Sequence, residues 1–324
     1  MNLFKSFMSV LIITAALILV GCNENEDAKE TTQASKKESI TVTHRLGETT
    51  VNLSPKNVVV FDYGVLDTLR ALNVNVKALP KEPLPKYLSQ FSDAKYINVG
   101  SLKEPNLEEI SRLEPDLIII SGRQADIYPE LVKLGPTLLM GVDNKAYVSS
   151  MKENMKILGK IFQKEDEVTQ LIDKLDKRIA DFKTITEENK QSGSSPKALA
   201  MIVTEGNLNA FGPGSRFGLL YDELGFTPVD NELEITNHGQ KVTYEYLIEK
   251  NPDLVFVLDR GEAMGQSKTA EEIMSNQLLS NVNAVKNKQV IYLTGEAWYL
   301  SAGGYEGFQI ILDDASKALT YSEK

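Results

Sequence analysis

The strongest constraint in this sequence is a motif that occurs twice at one fixed separation. Its first copy runs from Asn106 through Glu108, Pro115 and Asp116 into the apolar stretch Leu117-Ile-Ile-Ile120 and ends at Arg123. Shifted by 137 residues without a gap (253 − 116 = 137), the same positions hold Thr243, Glu245, Pro252, Asp253 and, past the strand, Arg260. Asn106 and Thr243 are helix-capping residue types, and each Pro closes the helix that the cap opens. A helix, a Pro-Asp turn and an apolar strand form a common α/β unit. Its recurrence with an Arg beyond each strand is what narrows the fold. Unbroken apolar runs such as these are typical of parallel sheets covered on both faces.

Between the copies, Val168, Leu171, Ile172, Leu175, Ile179 and Phe182 recur at the spacing of one helical face, from Glu165 to about Asn189. Acidic residues crowd the start, where the helix dipole favours them. With no internal Gly or Pro, this helix would extend on the order of 35 Å. Ser39 to Leu53 reads as an edge hairpin, and Val58-Val-Val-Phe61, Asp62-Tyr63-Gly64 and a following helix open a βα unit. The expected fold is therefore α/β, with two Rossmann-like lobes built on central parallel sheets. One long helix joins the lobes, and the ligand cleft lies between them. Residues 39–163 are the first lobe, 164–190 the joining helix and 191–324 the second, which a helix from Glu306 to about Leu319 should cover.

Residues 1–21 hold one Lys (Lys5) and an apolar run too short and wrongly flanked to span a membrane, which predicts a signal peptide. The run ends Leu19-Val20-Gly21-Cys22, small residues before a Cys, as in the lipobox of bacterial lipoproteins; an ordinary signal peptide with a stray Cys is the alternative. Cys22 is the chain's one cysteine, so no internal disulfide supports the fold. Residues 22–38 have the polar composition of a disordered tether. Without residues 1–21 the balance is 34 basic against 45 acidic side chains, a net of −11, which argues against a nucleic-acid partner.

Ligands of parallel α/β sheets sit beyond the carboxyl ends of the strands, where Arg123 and Arg260 stand, one per lobe. Each could instead pair with a local acid such as Asp126 or Glu262. Gly212-Pro-Gly-Ser-Arg216-Phe-Gly218 misses the dinucleotide spacing by one residue, yet a Gly-rich turn before a helix still offers N–H groups to anions, and Arg216 adds a third guanidinium. Three such groups suit a compact, multiply charged oxygen-rich anion. Tyr63, His238, Trp298 and Tyr299, all in turns or loops, join the candidate ligand-binding residues. For His238 an exposed loop position, and for Trp298 a hydrophobic plug, are the alternatives. His44 reads as a surface residue. Two histidines and one cysteine under-supply a zinc-type site, and no nucleophile elbow is present, so catalysis is not expected.

These segments, from Glu104 to Arg123, Gly212 to Gly218, Asn237 to Gln240, Pro252 to Arg260 and the Trp298-Tyr299 loop, together resemble the class III, helical-backbone substrate-binding lipoproteins of iron–siderophore ABC importers, in particular their catecholate subgroup. The resemblance spans the chain from Cys22 onward. It implies that Arg123, Arg216 and Arg260 surround a ferric catecholate siderophore, with no cofactor. It implies His238 and Tyr299 as direct Fe(III) ligands when the siderophore leaves coordination sites open. Glu108 and Glu245 would dock onto arginines of an ABC permease with its ATPase; ordinary first-turn glutamates are the alternative. A lipid on Cys22 would hold a monomer at the extracellular face of the cell membrane, or the periplasmic face where an outer membrane exists. A cobalamin or haem receptor of the same fold, and a surface esterase acting on siderophores, are the other readings.

Overall fold

The computed structural model describes residues 38–193, 195–266 and 269–319, all within one compact unit. The expected signal peptide, Cys22 and all but the last residue of the tether lie outside the described residues. No helix among the described residues is long and apolar enough to cross a membrane.

The chain enters through an antiparallel hairpin of β1 (Ser39–His44) and β2 (Gly47–Asn52). The first sheet contains β3 (Val58–Val60), β4 (Ala78–Leu79), β5 (Ile97–Asn98), β6 (Leu117–Ile120) and β7 (Thr137–Leu139). All are parallel, in the order β5-β4-β3-β6-β7. The direction of winding reverses between β3 and β6, so the loops that follow these two strands splay apart and open a crevice. Asp62 and Arg123 stand in those loops.

The second sheet holds β8 (Lys197–Thr204), β9 (Asn207–Phe211), β10 (Thr227–Pro228), β11 (Gln240–Val242), β12 (Leu254–Asp259) and β13 (Val290–Tyr292). Its order is β11-β9-β8-β12-β13, with β10 beside β8. The strands β8, β10, β12 and β13 are parallel, while β9 runs antiparallel to both β8 and β11, so that β11 points the same way as β8. The mixed half arises at Glu205-Gly206, both with positive φ (48° and 81°), which is the two-residue turn that sends β8 straight back as β9. The α/β expectation stands, with an antiparallel extension on one side of the second sheet.

The repeated Pro-Asp has a repeated job. Asp116 accepts the N–H groups of Lys56 and Asn57, both at 2.9 Å, and its own N–H donates to the Asn57 carbonyl at 3.0 Å. Asp253 accepts from Lys197 N–H at 3.1 Å and donates to the Lys197 carbonyl at 2.9 Å. In both sheets this carboxylate fixes the register in which the strand after Pro-Asp meets its parallel neighbour. The caps are also as expected, with Asn106 accepting from Glu109 N–H at 3.0 Å and Thr243 from Tyr246 N–H at 3.4 Å.

The long helix spans Glu165–Gln191 and buries Val168, Ile172, Leu175, Ile179 and Phe182. It does not stand free, because the helix Tyr147–Phe162 and the C-terminal helix Tyr305–Ser316 pack against it. That last helix corrects an expectation. Rather than covering only the second sheet, it also lies on the helix Tyr63–Ala71 from the first half. Buried Asp67 accepts from Gly307 N–H at 2.8 Å and from Arg70 at 2.9 Å. A Cβ on Gly64 would stand 2.4 Å from the Ala302 carbonyl oxygen, so the two backbones can approach only because Gly64 has none. One apolar cluster runs through both halves as a result.

Candidate functional site

Three guanidinium groups, each from its own loop, converge on one tyrosine in a fourth. Arg123 lies just past β6 and Arg260 just past β12, as the offset requires, and Arg216 comes from the Gly-rich loop after β9. Tyr299 sits in the turn Glu296–Leu300. Its backbone carbonyl accepts from Arg123 at 2.7 Å and from Arg216 at 2.9 Å, while its hydroxyl accepts from Arg260 Nε at 3.0 Å. The three guanidinium carbons stand 6.0, 4.4 and 5.8 Å from the centre of its ring. No ion pair joins any of the three to a carboxylate among the described residues, so the local pairing with Asp126 or Glu262 does not occur.

Burial first, and the neighbouring Arg123 second, hold the Arg216 guanidinium down to about 10. Burial alone would raise the Tyr299 phenol, but the hydrogen bond from Arg260 and the fields of the three arginines outweigh it and lower its pKa. At the crevice of the first sheet, burial pushes the Asp62 carboxyl up to about 6 despite the Val65 N–H it accepts and the nearby charge of Arg123. The result is a cationic surface with a polarised phenol at its centre.

Arg216, Arg260, Tyr299 and His238 line a cavity of about 410 Å³ together with Lys241 and Asn209. His238 is exposed at its rim, in the loop that Gly239 turns at φ 77°, close against the Phe211 ring. A second cavity of about 500 Å³ lies between Ser101, Leu102 and Lys103 of the first half and Met264 of the second.

Other expected site residues lie elsewhere. Tyr63 is buried, with its hydroxyl donated to the Pro80 carbonyl at 2.9 Å, so it supports the first sheet rather than facing a ligand. Trp298 is also buried, stacked on Phe217 at 5.5 Å with its indole N–H donated to Asp314 at 3.1 Å, and it is the plug that fixes Tyr299. The glycine-rich turn does not offer a free N–H to an anion at Gly214, because Asp222 accepts that donor at 2.6 Å. His44 is half-buried, not a surface residue. Its Nδ1 accepts from Leu46 N–H, which leaves the proton on Nε2, toward Thr49. Burial lowers its pKa. Glu108 and Glu245 are both exposed in the first turns of equivalent helices, with Glu108 bonded to Arg112. Lys241, Asn207 and Asn209 were missed by the sequence reading. Their signal is the alternation Asn-Leu-Asn-Ala from position 207, a strand pattern with a polar face.

Residues 58–297 match the family described as periplasmic binding protein. The chain belongs to that family. The petrobactin-binding protein YclQ of Bacillus subtilis is 42% identical over 319 residues, which are 97% of this chain and 99% of that protein. The crystal structure of YclQ superposes with a TM-score of 0.84 at 45% identity and covers 89% of this chain and all of that one. The periplasmic catecholate-siderophore binding protein VctP of Vibrio cholerae gives 0.80 at 32% identity, over 86% of this chain and 100% of that one. BauB, solved with two acinetobactin molecules and ferric iron, gives 0.79 at 30% identity over 87% and 99%.

Proposed function

We propose that this periplasmic binding protein captures a ferric siderophore of catecholate type and delivers it to an ABC permease for iron uptake. The observation that carries the reading is the cluster of Arg123, Arg216 and Arg260 around Tyr299, three cations with no ion-paired carboxylate among the described residues. A ferric tris-catecholate carries about three negative charges on a rim of oxygen atoms, and planar guanidinium forks match such oxygens in charge and geometry. The names of the relatives, which bind petrobactin, a catecholate siderophore and ferric acinetobactin, support the same ligand class.

In this account the complex displaces the arginines from the Tyr299 carbonyl and takes their N–H groups. Tyr299 and His238 are then placed to complete the iron's coordination when the siderophore fills fewer than six positions. A phenol with a lowered pKa gives up its proton to a metal more readily than an ordinary tyrosine. The C-terminal helix, bonded to Asp67, and the segment before it, packed on Gly64, tie the halves together, so the cleft closes only slightly on the ligand. Glu108 and Glu245 provide the permease contact, and a lipid on Cys22 holds the monomer at the membrane. Haem and cobalamin fit less well, since the 410 Å³ cavity is lined mainly by charged and amide side chains, Arg216, Arg260, Lys241 and three asparagines, with Ile202 its one aliphatic wall, and the tryptophan is buried.

The test is quenching of Trp298 emission by a ferric catecholate, which absorbs in the visible and lies one residue away when bound at Tyr299. Wild-type protein should be quenched saturably. The triple variant Arg123→Gln, Arg216→Gln, Arg260→Gln should bind at least about 100-fold more weakly, given charge-assisted contacts of roughly 1.5–3 kcal/mol each. Equal affinity in the two proteins would remove the arginines from the account.

A further inference from the structure

The turn that carries Tyr299 is held from both halves of the molecule. From the second half, Asp314 of the C-terminal helix accepts the Thr294 N–H at 2.7 Å and the Trp298 indole N–H at 3.1 Å. Arg260 adds its bond to the Tyr299 hydroxyl. From the first half, the helical segment Lys86–Ser92 reaches across to the start of the turn. The Glu296 carboxylate accepts the Lys86 backbone N–H at 2.8 Å, a link between residues 210 positions apart. Tyr87 donates its hydroxyl to Ser301 Oγ at 2.7 Å, and Ser301 donates in turn to the Glu296 carbonyl at 2.7 Å.

Tyr87 is itself fixed, because Arg70 donates to its backbone carbonyl at 3.1 Å and lies 5.6 Å from the centre of its ring. Ser301 is buried, so the chain from Tyr87 through Ser301 to Glu296 is shielded from water, where a hydrogen bond is stronger than at the surface. The Lys86 ammonium, exposed and 3.7 Å from the same carboxylate, adds little. The turn is also wide, since the Ser301 N–H donates to the Glu296 carbonyl five residues back, at 3.1 Å. Turns of that width are rare and gather at functional sites. In the unliganded protein Arg123 gives the first half a third hold, through the Tyr299 carbonyl. The proposed ligand takes that guanidinium away. Among the described residues, the hydrogen bonds that still join the first half to the turn are then those of Lys86 and Tyr87.

We infer that Glu296 and Tyr87 are positioning residues, which keep Tyr299 aimed at the iron after the arginines have left its carbonyl. The inference rests on the siderophore reading, with Tyr299 as an iron ligand, and deepens it by naming what presents the phenol. Its consequence is a selectivity. A ferric complex whose siderophore fills all six coordination positions needs no phenol and is indifferent to this clamp. One that fills four depends on it, because the phenol must then arrive at a fixed place and angle without the arginines to hold it.

The test compares the ferric complex of a linear bis-catecholate, with four donor oxygens, and a ferric tris-catecholate, with six, on wild-type protein, Glu296→Ala and Tyr87→Phe. Glu296→Gln, which keeps an oxygen for the Lys86 N–H, is the conservative control, and melting curves verify that each variant is folded. Affinity is read from Trp298 quenching, and the iron–tyrosinate bond from resonance Raman bands assigned by their absence in Tyr299→Phe. Glu296→Ala and Tyr87→Phe should bind the bis-catecholate about tenfold or more weakly, with the tyrosinate bands lost or shifted, and the tris-catecholate within about twofold of wild type. Glu296→Gln should match wild type. Equal losses for both complexes, no loss for either, or unchanged bands reduce the clamp to support of the fold and overturn the inference. Wild-type protein that binds both complexes without tyrosinate bands also overturns it, by taking Tyr299 off the iron, and leaves the siderophore reading standing. Wild-type protein that binds neither complex overturns the siderophore reading itself.

Discussion

Replacing Arg216 with Met should make the unliganded protein more stable while it weakens ligand binding. Arg216 is held down to about 10, from an ordinary value above 12, by burial and then by Arg123. At neutral pH it is charged in both the folded and unfolded states, so folding carries the full unfavourable difference. At about 1.4 kcal/mol per tenfold change in acidity, that difference is about 3 kcal/mol. The penalty is relieved only as pH rises through about 10, where the folded form loses its proton first. Met keeps the apolar stem but gives up the bond to the Tyr299 carbonyl, about 1 kcal/mol, and the stacking on its ring, about 0.5–1 kcal/mol. The net gain is about 1–1.5 kcal/mol, or a melting temperature about 2–6 °C higher. Calorimetry of both apo proteins at neutral pH measures it, and fluorescence titration should show ferric-catecholate affinity lower by about tenfold or more. An apo variant that melts at or below the wild-type temperature would falsify the claim that the cations are held together against their own repulsion.

Tyr299→Phe removes the acceptor for Arg260 but leaves the carbonyl that serves Arg123 and Arg216. Because the folded phenol has a lowered pKa, its ionised form adds stability at high pH that fades as pH falls through the folded value. An ultraviolet titration should accordingly lose its earliest tyrosinate in the variant, and an unchanged curve would contradict the assignment. Asp62 and Asp67 are both raised to about 6 by burial, so stability from these groups is present below about pH 4 and lost as pH rises through about 6. Asp67→Asn should flatten part of that slope in melts taken between those limits; an unaltered slope would show that Asp67 does not titrate there. Gly64→Ala drives a Cβ into the Ala302 carbonyl and should cost about 2–4 kcal/mol, read as a lower melting temperature. Glu108→Lys with Glu245→Lys should leave siderophore affinity unchanged and reduce stimulation of the permease's ATPase, and undiminished stimulation would exclude that face.

The repeat was legible because its parts are local. The Pro-Asp turn, the cap and the apolar strand each depend on residues a few positions apart, and Asp116 and Asp253 do the same work in both sheets. The placement of Arg123 and Arg260 follows from the strands they end. What stayed hidden depends on distant partners. Whether Trp298 or Tyr299 faces the cavity is decided by Asp314, 16 residues onward, which accepts the indole N–H and draws Trp298 inward. Tyr63 is turned into the core by the Pro80 carbonyl, and the free N–H expected at Gly214 is taken by Asp222. The C-terminal helix reads as amphipathic, but only the bond from Gly307 N–H to distant Asp67, and the close approach of Gly64 to Ala302 just before the helix, reveal that it bridges both halves. The Asn-rich face of β9 required the register of β8, β9 and β11 before its side chains could be seen together.

The most direct measurement is a crystal structure of the protein with a ferric catecholate siderophore. The account predicts the iron complex against Tyr299, with nitrogen atoms of Arg123, Arg216 and Arg260 all within about 3.2 Å of catecholate oxygens. A complex seated on another surface, or one that leaves the three guanidinium groups bonded to Tyr299 as they now are, would contradict it.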